Sequence, residues 1–410
     1  MNIVFFLLVC AAVLAAGGAD VAALIAGNDP VRMAAVGDAV FEGAKSSITL
    51  AIGLAGAMTL FLGLMKVVEA AGGLDFLARL IRPVLVRLFP DVPADHPAMG
   101  AIVMNIGANV LGLGNAATPF GIKAMQELET LNKHPGTATN AMVLFLAINT
   151  SGVAVLPTGV MAMRAAAGST SPESIFVPTL VASMFNTVVA VLAAKFFSRV
   201  FRAPSPPDHH PVKESWLDLV PLVLISAGFS AMVVTVYLFK PASAWIVPCL
   251  ILGMLTVGFV RRVKVYEVFI EGARDGFTSA TRIIPYLVAI LTAVGMLRAS
   301  GALDVLVRFV SPAMNLIGMP PEVLPLALLR PLSGSGAYAL TTELTTTYGP
   351  DSFIAQVAGT MQGTTETTFY VLAVYFGSVQ VLKTRHAVPT GVLSDLSGVL
   401  AAVAACHFLI

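Results

Sequence analysis

The chain has 410 residues, of which 57% are hydrophobic and 11% charged, with a net charge of +1 at neutral pH. A soluble domain carries about 25% charged residues, so a mean hydropathy of +0.86 marks an integral membrane protein. The charge balance leaves no basic surface for nucleic acid, and Cys10, Cys249 and Cys406, far apart in apolar runs, form neither a disulfide framework nor a metal site.

In chain order, Ile3–Ile25 is apolar over the roughly 20 residues that a membrane helix needs. Its leading part, Met1 to Ala16, has the apolar core of a signal peptide but no positive flank, so a retained first helix is expected. Val31–Ser47 carries acidic and basic residues along one side of a helical pattern and reads as interfacial, while Ile48–Val68 reads as a span. In Leu74–Phe89 the apolar positions Leu77, Leu80, Ile81, Val84, Leu85 and Leu88 recur at helical spacing, with Arg79, Arg82 and Arg87 elsewhere around the helix.

The segment Asn105 to Pro119 then packs three Asn (Asn105, Asn109, Asn115), three Gly and a Pro, with Thr118, into apolar sequence. Gly and Pro break a helix and free backbone groups, which inside a membrane must be buried in protein or line a polar cavity. Helix ends exposed in this way supply ligand sites in transporters; close helix contact through small residues is the alternative. Gly112-Leu113-Gly114-Asn115-Ala116-Ala117 also mimics a dinucleotide fingerprint, but no strand precedes it.

Ala141–Met163 and Ile175–Phe197 read as spans, the first carrying Asn149-Thr150-Ser151-Gly152 and then Pro157. A Pro-rich linker at 203–215 follows, and beyond it Leu217–Phe239 and Ala244–Val260 read as a hairpin of spans. Basic clusters on either side of that hairpin (Lys195, Arg199, Arg202 and Arg261, Arg262, Lys264) both face the cytoplasm by the positive-inside rule. Val263–Thr281 reads as interfacial, Ile283–Leu297 as a span and Leu303–Ile317 as amphipathic.

A second break follows at Arg330-Pro331-Leu332-Ser333-Gly334-Ser335-Gly336, with Glu343 beyond it. Gln362 to Tyr370 is the most polar intramembrane stretch, with Gln362, Thr365 and Glu366 next to an apolar run. A carboxylate at membrane depth costs about 2.5–3.5 kcal/mol on insertion scales, so Glu366 is a functional candidate by default. Asp395, inside the last span Val388–Leu409, is a weaker one.

The chain is also duplicated. Glu42-Gly43-Ala44 returns as Glu271-Gly272-Ala273, and Gly72, Leu74, Asp75, Arg79 and Pro83 return as Gly301, Leu303, Asp304, Arg308 and Pro312, all at an offset of 229. The offset shortens to 211 by Val177-Pro178-Thr179 and Val388-Pro389-Thr390. The expectation is an all-α polytopic membrane protein with two parallel pseudo-twofold repeats, 1–202 and 216–410, and with broken or re-entrant and amphipathic interfacial helices.

His96-Pro97-Ala98-Met99-Gly100, Leu111 to Pro119 and Arg164 to Ser169 resemble spore maturation protein A, and Arg330 to Ala337, Met361-Gln362-Gly363 and Glu366 to Ser378 resemble spore maturation protein B. The resemblance implies a fusion of the two, carrying the nucleoside recognition or gate domain. It also implies a role in dehydrating the spore core, and a distant similarity to concentrative nucleoside transporters.

The reading that follows is an inner-membrane permease for a small polar solute bound between the repeats. Asn105, Asn109, Asn115, Thr118, Asn149 and Thr150 from one half would face Ser333, Ser335, Gln362 and Thr365 from the other. Glu366 would couple a proton or cation, with Glu343 and Arg330 as further charges. No cofactor, metal or enzymatic step is expected; the partners are the bilayer, the solute and, left open, further copies of the chain. A non-transporting scaffold or gate subunit in envelope maturation is the alternative, and intramembrane chemistry a third.

Overall fold

The computed structural model describes residues 2–111, 117–152, 157–201 and 245–410, with isolated positions at 220, 223, 227 and 231. Asn115, the Pro-rich linker and most of the segment expected to span from Leu217 lie outside the described residues. The first half comprises α1 (Asn2–Ile25), α2 (Arg32–Ala70), α3 (Gly73–Leu88), α4 (Pro97–Val110), α5 (Ala117–Thr130), α6 (Asn140–Thr150), α7 (Thr158–Ala166) and α8 (Phe176–Val200). The second comprises α9 (Ile246–Val260), α10 (Val265–Ala299), α11 (Ala302–Leu316), α12 (Leu324–Leu329), α13 (Gly334–Tyr348), α14 (Phe353–Thr364), α15 (Thr368–Gly377) and α16 (Ala387–Leu409). From α2 to α8 each helix has a counterpart in order from α10 to α16. Among the described residues five helices are long and apolar enough to cross a membrane.

Two segment assignments change. The expected interfacial segments Val31–Ser47 and Val263–Thr281 are the first halves of α2 and α10, helices of 39 and 35 residues that continue without a break into the spans. No Gly or Pro signal stands at Ser47–Ile48, so nothing ends the first helix there, and Pro285 is accommodated inside the second. The expected span Ala141–Met163 is instead two short helices, α6 and α7, separated around Pro157.

The duplicated glycines have a shared physical cause. Gly72 and Gly301 sit at φ 81° and 80°, joining α2 to α3 and α10 to α11 through a left-handed turn that any side chain would strain. Gly43 and Gly272 lie where α2 and α10 touch. A Cβ on Gly43 would come within 2.9 Å of Thr292 Cα, and one on Gly272 within 2.7 Å of the Leu62 carbonyl. Small residues admit such backbone contact between membrane helices.

Those contacts fix the relation between the copies. Gly43 meets Thr292, whereas Gly63 meets Phe269 and Gly272. As α2 advances α10 recedes, so the equivalent helices are antiparallel. The same holds for α8 and α16, where Phe201 stacks on His386 while Ala182 packs against Ala401 and Ala405. The expected parallel arrangement is therefore corrected: the copies are inverted about an axis across these helices. The charge pattern is compatible with this and by itself fits either arrangement, since it fixes only the side on which the first copy ends and the second begins. α8 ends at Lys195 and Arg199, and α10 begins just after Arg261, Arg262 and Lys264. Both ends belong on the cytoplasmic face, so the second copy starts on the side where the first one ends.

Candidate functional site

Each copy carries a broken helix, α6–α7 in the first and α14–α15 in the second, and the two breaks meet. The Glu366 amide donates to the Thr150 carbonyl at 2.9 Å. Gly152, at φ 64°, leaves space for a backbone contact, since a Cβ there would fall 2.9 Å from the Thr364 carbonyl. Asn186 of α8 ties both helix ends together. Its Nδ2 donates to the Ser151 carbonyl at 3.2 Å and the Thr364 carbonyl at 3.3 Å. Its Oδ1 accepts from Ser394 at 3.1 Å and Ser397 at 2.7 Å, both on α16. Asn186 and Ser397 are equivalent positions of the two copies, so this contact lies on the pseudo-twofold axis.

Arg330 follows α12 and is buried in the second break. Its guanidinium donates to the Thr365 carbonyl, to the Gln362 carbonyl at 3.2 Å and to Thr367 Oγ1 at 3.3 Å. A cation at the C-terminus of α14 satisfies carbonyls that the helix leaves open and complements its dipole. Glu366 lies 3.7 Å from Arg330 with its side chain 57% exposed.

On the first-copy side Asn109 donates to Asn149 Oδ1 at 2.8 Å, and Asn149 donates to the Phe145 carbonyl at 2.9 Å. Asn105 donates to the Ala117 carbonyl at 2.8 Å and to Tyr375 Oη at 3.3 Å, which brings a residue of α15 into the amide cluster. Several buried polar atoms around the two breaks have no partner: Asn105 Oδ1, Gln362 Oε1, Arg330 Nε and Asp395 Oδ2. Such atoms are costly to leave unpaired, and a water or a polar ligand would satisfy them.

The structure thus gathers Asn105, Asn109, Asn149, Thr150, Arg330, Gln362, Thr365 and Glu366 around the breaks. Other expected residues are employed elsewhere. Glu343 is held by Arg298 and by Thr347, whose Oγ1 donates at 3.0 Å; it pairs with neither Arg330 nor the polar centre. Ser333 caps its own helix, accepting from the Gly336 amide at 3.1 Å. Ser335 and Thr118 lie half-buried in the first turns of α13 and α5. Lys123 pairs with Glu127 at 2.6 Å.

Three residues escaped the sequence reading. Asn186 is the one amide in α8, and that isolation in an apolar helix was its signal. Tyr375 and Arg164 stood only inside the motifs of the resemblance, with nothing in the chain to single them out as site residues. Arg164 is buried and donates to the Pro350 carbonyl at 2.5 Å, to Ser174 Oγ at 3.1 Å and to Asp351 at 3.0 Å. Burial alone would raise the Asp351 carboxyl, but hydrogen bonds from Ser169 and Thr170 and the charge of Arg164 bring it below its ordinary value. A corresponding clasp stands at the opposite end of the copies. There Arg385 donates to the Ala138 carbonyl at 2.9 Å and to Asn140 Oδ1 at 3.0 Å. Beside it His386 is pushed down to about 4 by burial and by the Arg385 charge.

Fold and breaks together define a multi-pass α-helical membrane protein built from two inverted copies of one broken-helix unit. The chain belongs to the Gate, or nucleoside recognition, family, whose model matches residues 51–167 and 280–381, more than half its length. It is 49% identical to spore maturation protein B of Bacillus subtilis (strain 168) over 157 residues, covering 38% of this chain and 88% of that one. It is 46% identical to spore maturation protein A of the same organism over 162 residues, 40% of this chain and 83% of that one. Inner membrane protein YjiG of Escherichia coli (strain K12) is 35% identical over 86 residues, 21% of this chain and 56% of that one. Among solved structures, CNTnw in an outward-facing state aligns over 99% of this chain and 90% of that one, at 14% identity and a TM-score of 0.46. That likeness is too low to compare sites.

Proposed function

We propose that the chain carries a small polar solute across the membrane at the crossing of its two broken helices. One observation carries the reading: the open ends of α6 and α14 meet at Asn186, next to buried donors and acceptors that have no partner. Amide and carbonyl groups in such a crossing recognise a hydrogen-bonding solute, and the exposed Glu366 beside Arg330 is its charged entrance. The family description makes nucleosides the first solutes to try. No Walker A motif occurs in the sequence, so movement is passive or driven by an ion gradient. We assign no enzymatic step, because Glu343 is bound in a separate pair and does not converge with Glu366 and Asp395.

The test is a thermal-shift screen of the purified chain against nucleosides, amino acids, carboxylates and metal salts, followed by uptake of the hit into proteoliposomes. A ligand of the native state raises stability with concentration, by about 2.7 kcal/mol at 100 times its Kd. A concentration-dependent shift from one class, with uptake that Asn186→Leu abolishes, is the expected result. Uptake unaffected by Asn186→Leu would remove the crossing as the route. The rival reading, a non-transporting scaffold, draws on the glycine-packed contact of α2 with α10, and it predicts no uptake of any class.

A further inference from the structure

The carboxylate at the centre of the crossing is not the one that the polar stretch advertises. Glu366 is 57% exposed at its side chain, whereas Asp395 is buried within α16, 7% exposed. Its neighbours place it. Gly391 and Gly398 flank it at helical spacing on one face of α16. A Cβ on Gly391 would fall 2.6 Å from Thr368 Cγ2, and one on Gly398 2.3 Å from Thr365 Cγ2. That face is therefore cut back to receive the break between α14 and α15, and Asp395 is the acidic group on it. Thr368 Oγ1 donates to Asp395 Oδ1 at 2.8 Å, and Asp395 Oδ2 is buried without a partner.

We propose that Asp395 is a proton-binding site of the crossing: a proton from water adds to Oδ2 as an O–H bond, while Thr368 keeps hold of Oδ1. This deepens the transport reading and rests on it for its purpose, though not for its test. Protonation acts on the solute site through two adjacent residues. Thr367 accepts from Arg330 and Thr368 donates to Asp395, so both charges are anchored on the start of α15. Ionised Asp395 is an anion at the N-terminal end of that helix, where the dipole favours it. Protonation removes that attraction and frees α15 to shift against α14.

The charged surroundings leave few competitors. The helices packed on α16 are α6, α8, α14 and α15. α6 and α14 have no titratable side chain, α8 has Lys195 and Arg199 near its end, and α15 has Tyr370 and Tyr375. Arg330 and Glu366 complete the break, and α16 itself adds Cys406 and His407.

Infrared difference spectra of the full chain in lipid nanodiscs, recorded between acid and alkaline buffer without any solute, test the site. A C=O stretch of a protonated buried carboxyl should grow in on acidification, vanish in Asp395→Asn and persist in Glu366→Gln. Thr368→Val keeps the carboxyl but removes its donor, and should move the titration midpoint of that band by about one pH unit. A band that survives Asp395→Asn, or that is lost in Glu366→Gln, overturns the proposal. If Asp395→Asn does not fold, an unmoved midpoint in Thr368→Val overturns it just as well. Failure of the solute screen with an intact Asp395 band would sink the transport reading alone.

Discussion

Gly276 offers the cleanest test of the inverted arrangement. In Gly276→Ala the new Cβ lies 2.7 Å from the Met58 carbonyl oxygen and 2.7 Å from Thr59 Cα. Both are backbone atoms of α2, so no rotamer change relieves the clash and the two helices must part. Gly56, on α2, is the matched control, because a Cβ there meets nothing within 4 Å. Both substitutions gain about 0.8–1.0 kcal/mol of helix propensity. Only Gly276→Ala carries an overpacking cost of about 1–3 kcal/mol. Propensity cancels in the comparison, so the gap between the variants is the packing cost alone. Gly56→Ala should stabilise slightly, and Gly276→Ala should be neutral to about 2 kcal/mol worse than the parent. Equilibrium unfolding of the purified chain in mixed micelles, titrated with a denaturing detergent, reads both values. Equal stability of the two variants would refute the close antiparallel contact.

Disulfide trapping checks the register directly. With the native cysteines replaced, Thr59→Cys with Gly276→Cys should cross-link, whereas Gly43→Cys with Gly272→Cys should not, since in antiparallel helices those equivalent positions lie about 30 Å apart; the opposite pattern on a non-reducing gel would restore a parallel pair. His386, held at about 4 in the folded chain against about 6.5 unfolded, contributes stability that is complete above the unfolded value and is lost as pH falls through that window. The loss is about 3 kcal/mol at most, and His386→Gln should flatten the slope of unfolding free energy against pH between these limits. Asp351→Asn removes the charge partner of the buried Arg164. The Asp351 side chain is 39% exposed and Arg164 keeps its bonds to the Pro350 carbonyl and Ser174, so the cost near neutral pH should be about 1–2 kcal/mol. Because the Asp351 carboxyl is lowered in the fold, its contribution fades only as pH drops below about 4. An Asp351→Asn variant that unfolds like the parent at neutral pH would show that the clasp holds nothing.

Much of the candidate site was legible one residue at a time. Gly, Pro and amide residues announced helix breaks at 105–119 and 330–336, because an interrupted membrane helix must place its freed carbonyls somewhere polar. Residues 149–152 and 362–370 stood out only as polar stretches, and the breaks found there came from the fold. Arg330 and Glu366 stood out because charge is costly at that depth. Their pairing was not legible. Glu343 and Glu366 were both candidate partners for Arg330, and only folding gave Glu343 to Arg298 and Glu366 to Arg330. Asn186 was harder still, because its role depends on two carbonyls that come from opposite halves.

The amino-acid sequence by itself determined that this is a helical membrane protein, that it was duplicated, and where its glycines must turn or pack. Those properties rest on local hydrophobicity, on φ and on a fixed offset, all of which are written along the chain. The hand of the duplication was decided only in three dimensions. A repeat in sequence is directionless with respect to the membrane, and the same motifs serve parallel or inverted copies alike. Whether Gly43 meets Gly272 or Thr292 depends on which face of the bilayer the second copy starts from, and helix packing is where that choice becomes visible. Inversion in turn brings the two breaks tip to tip at Asn186.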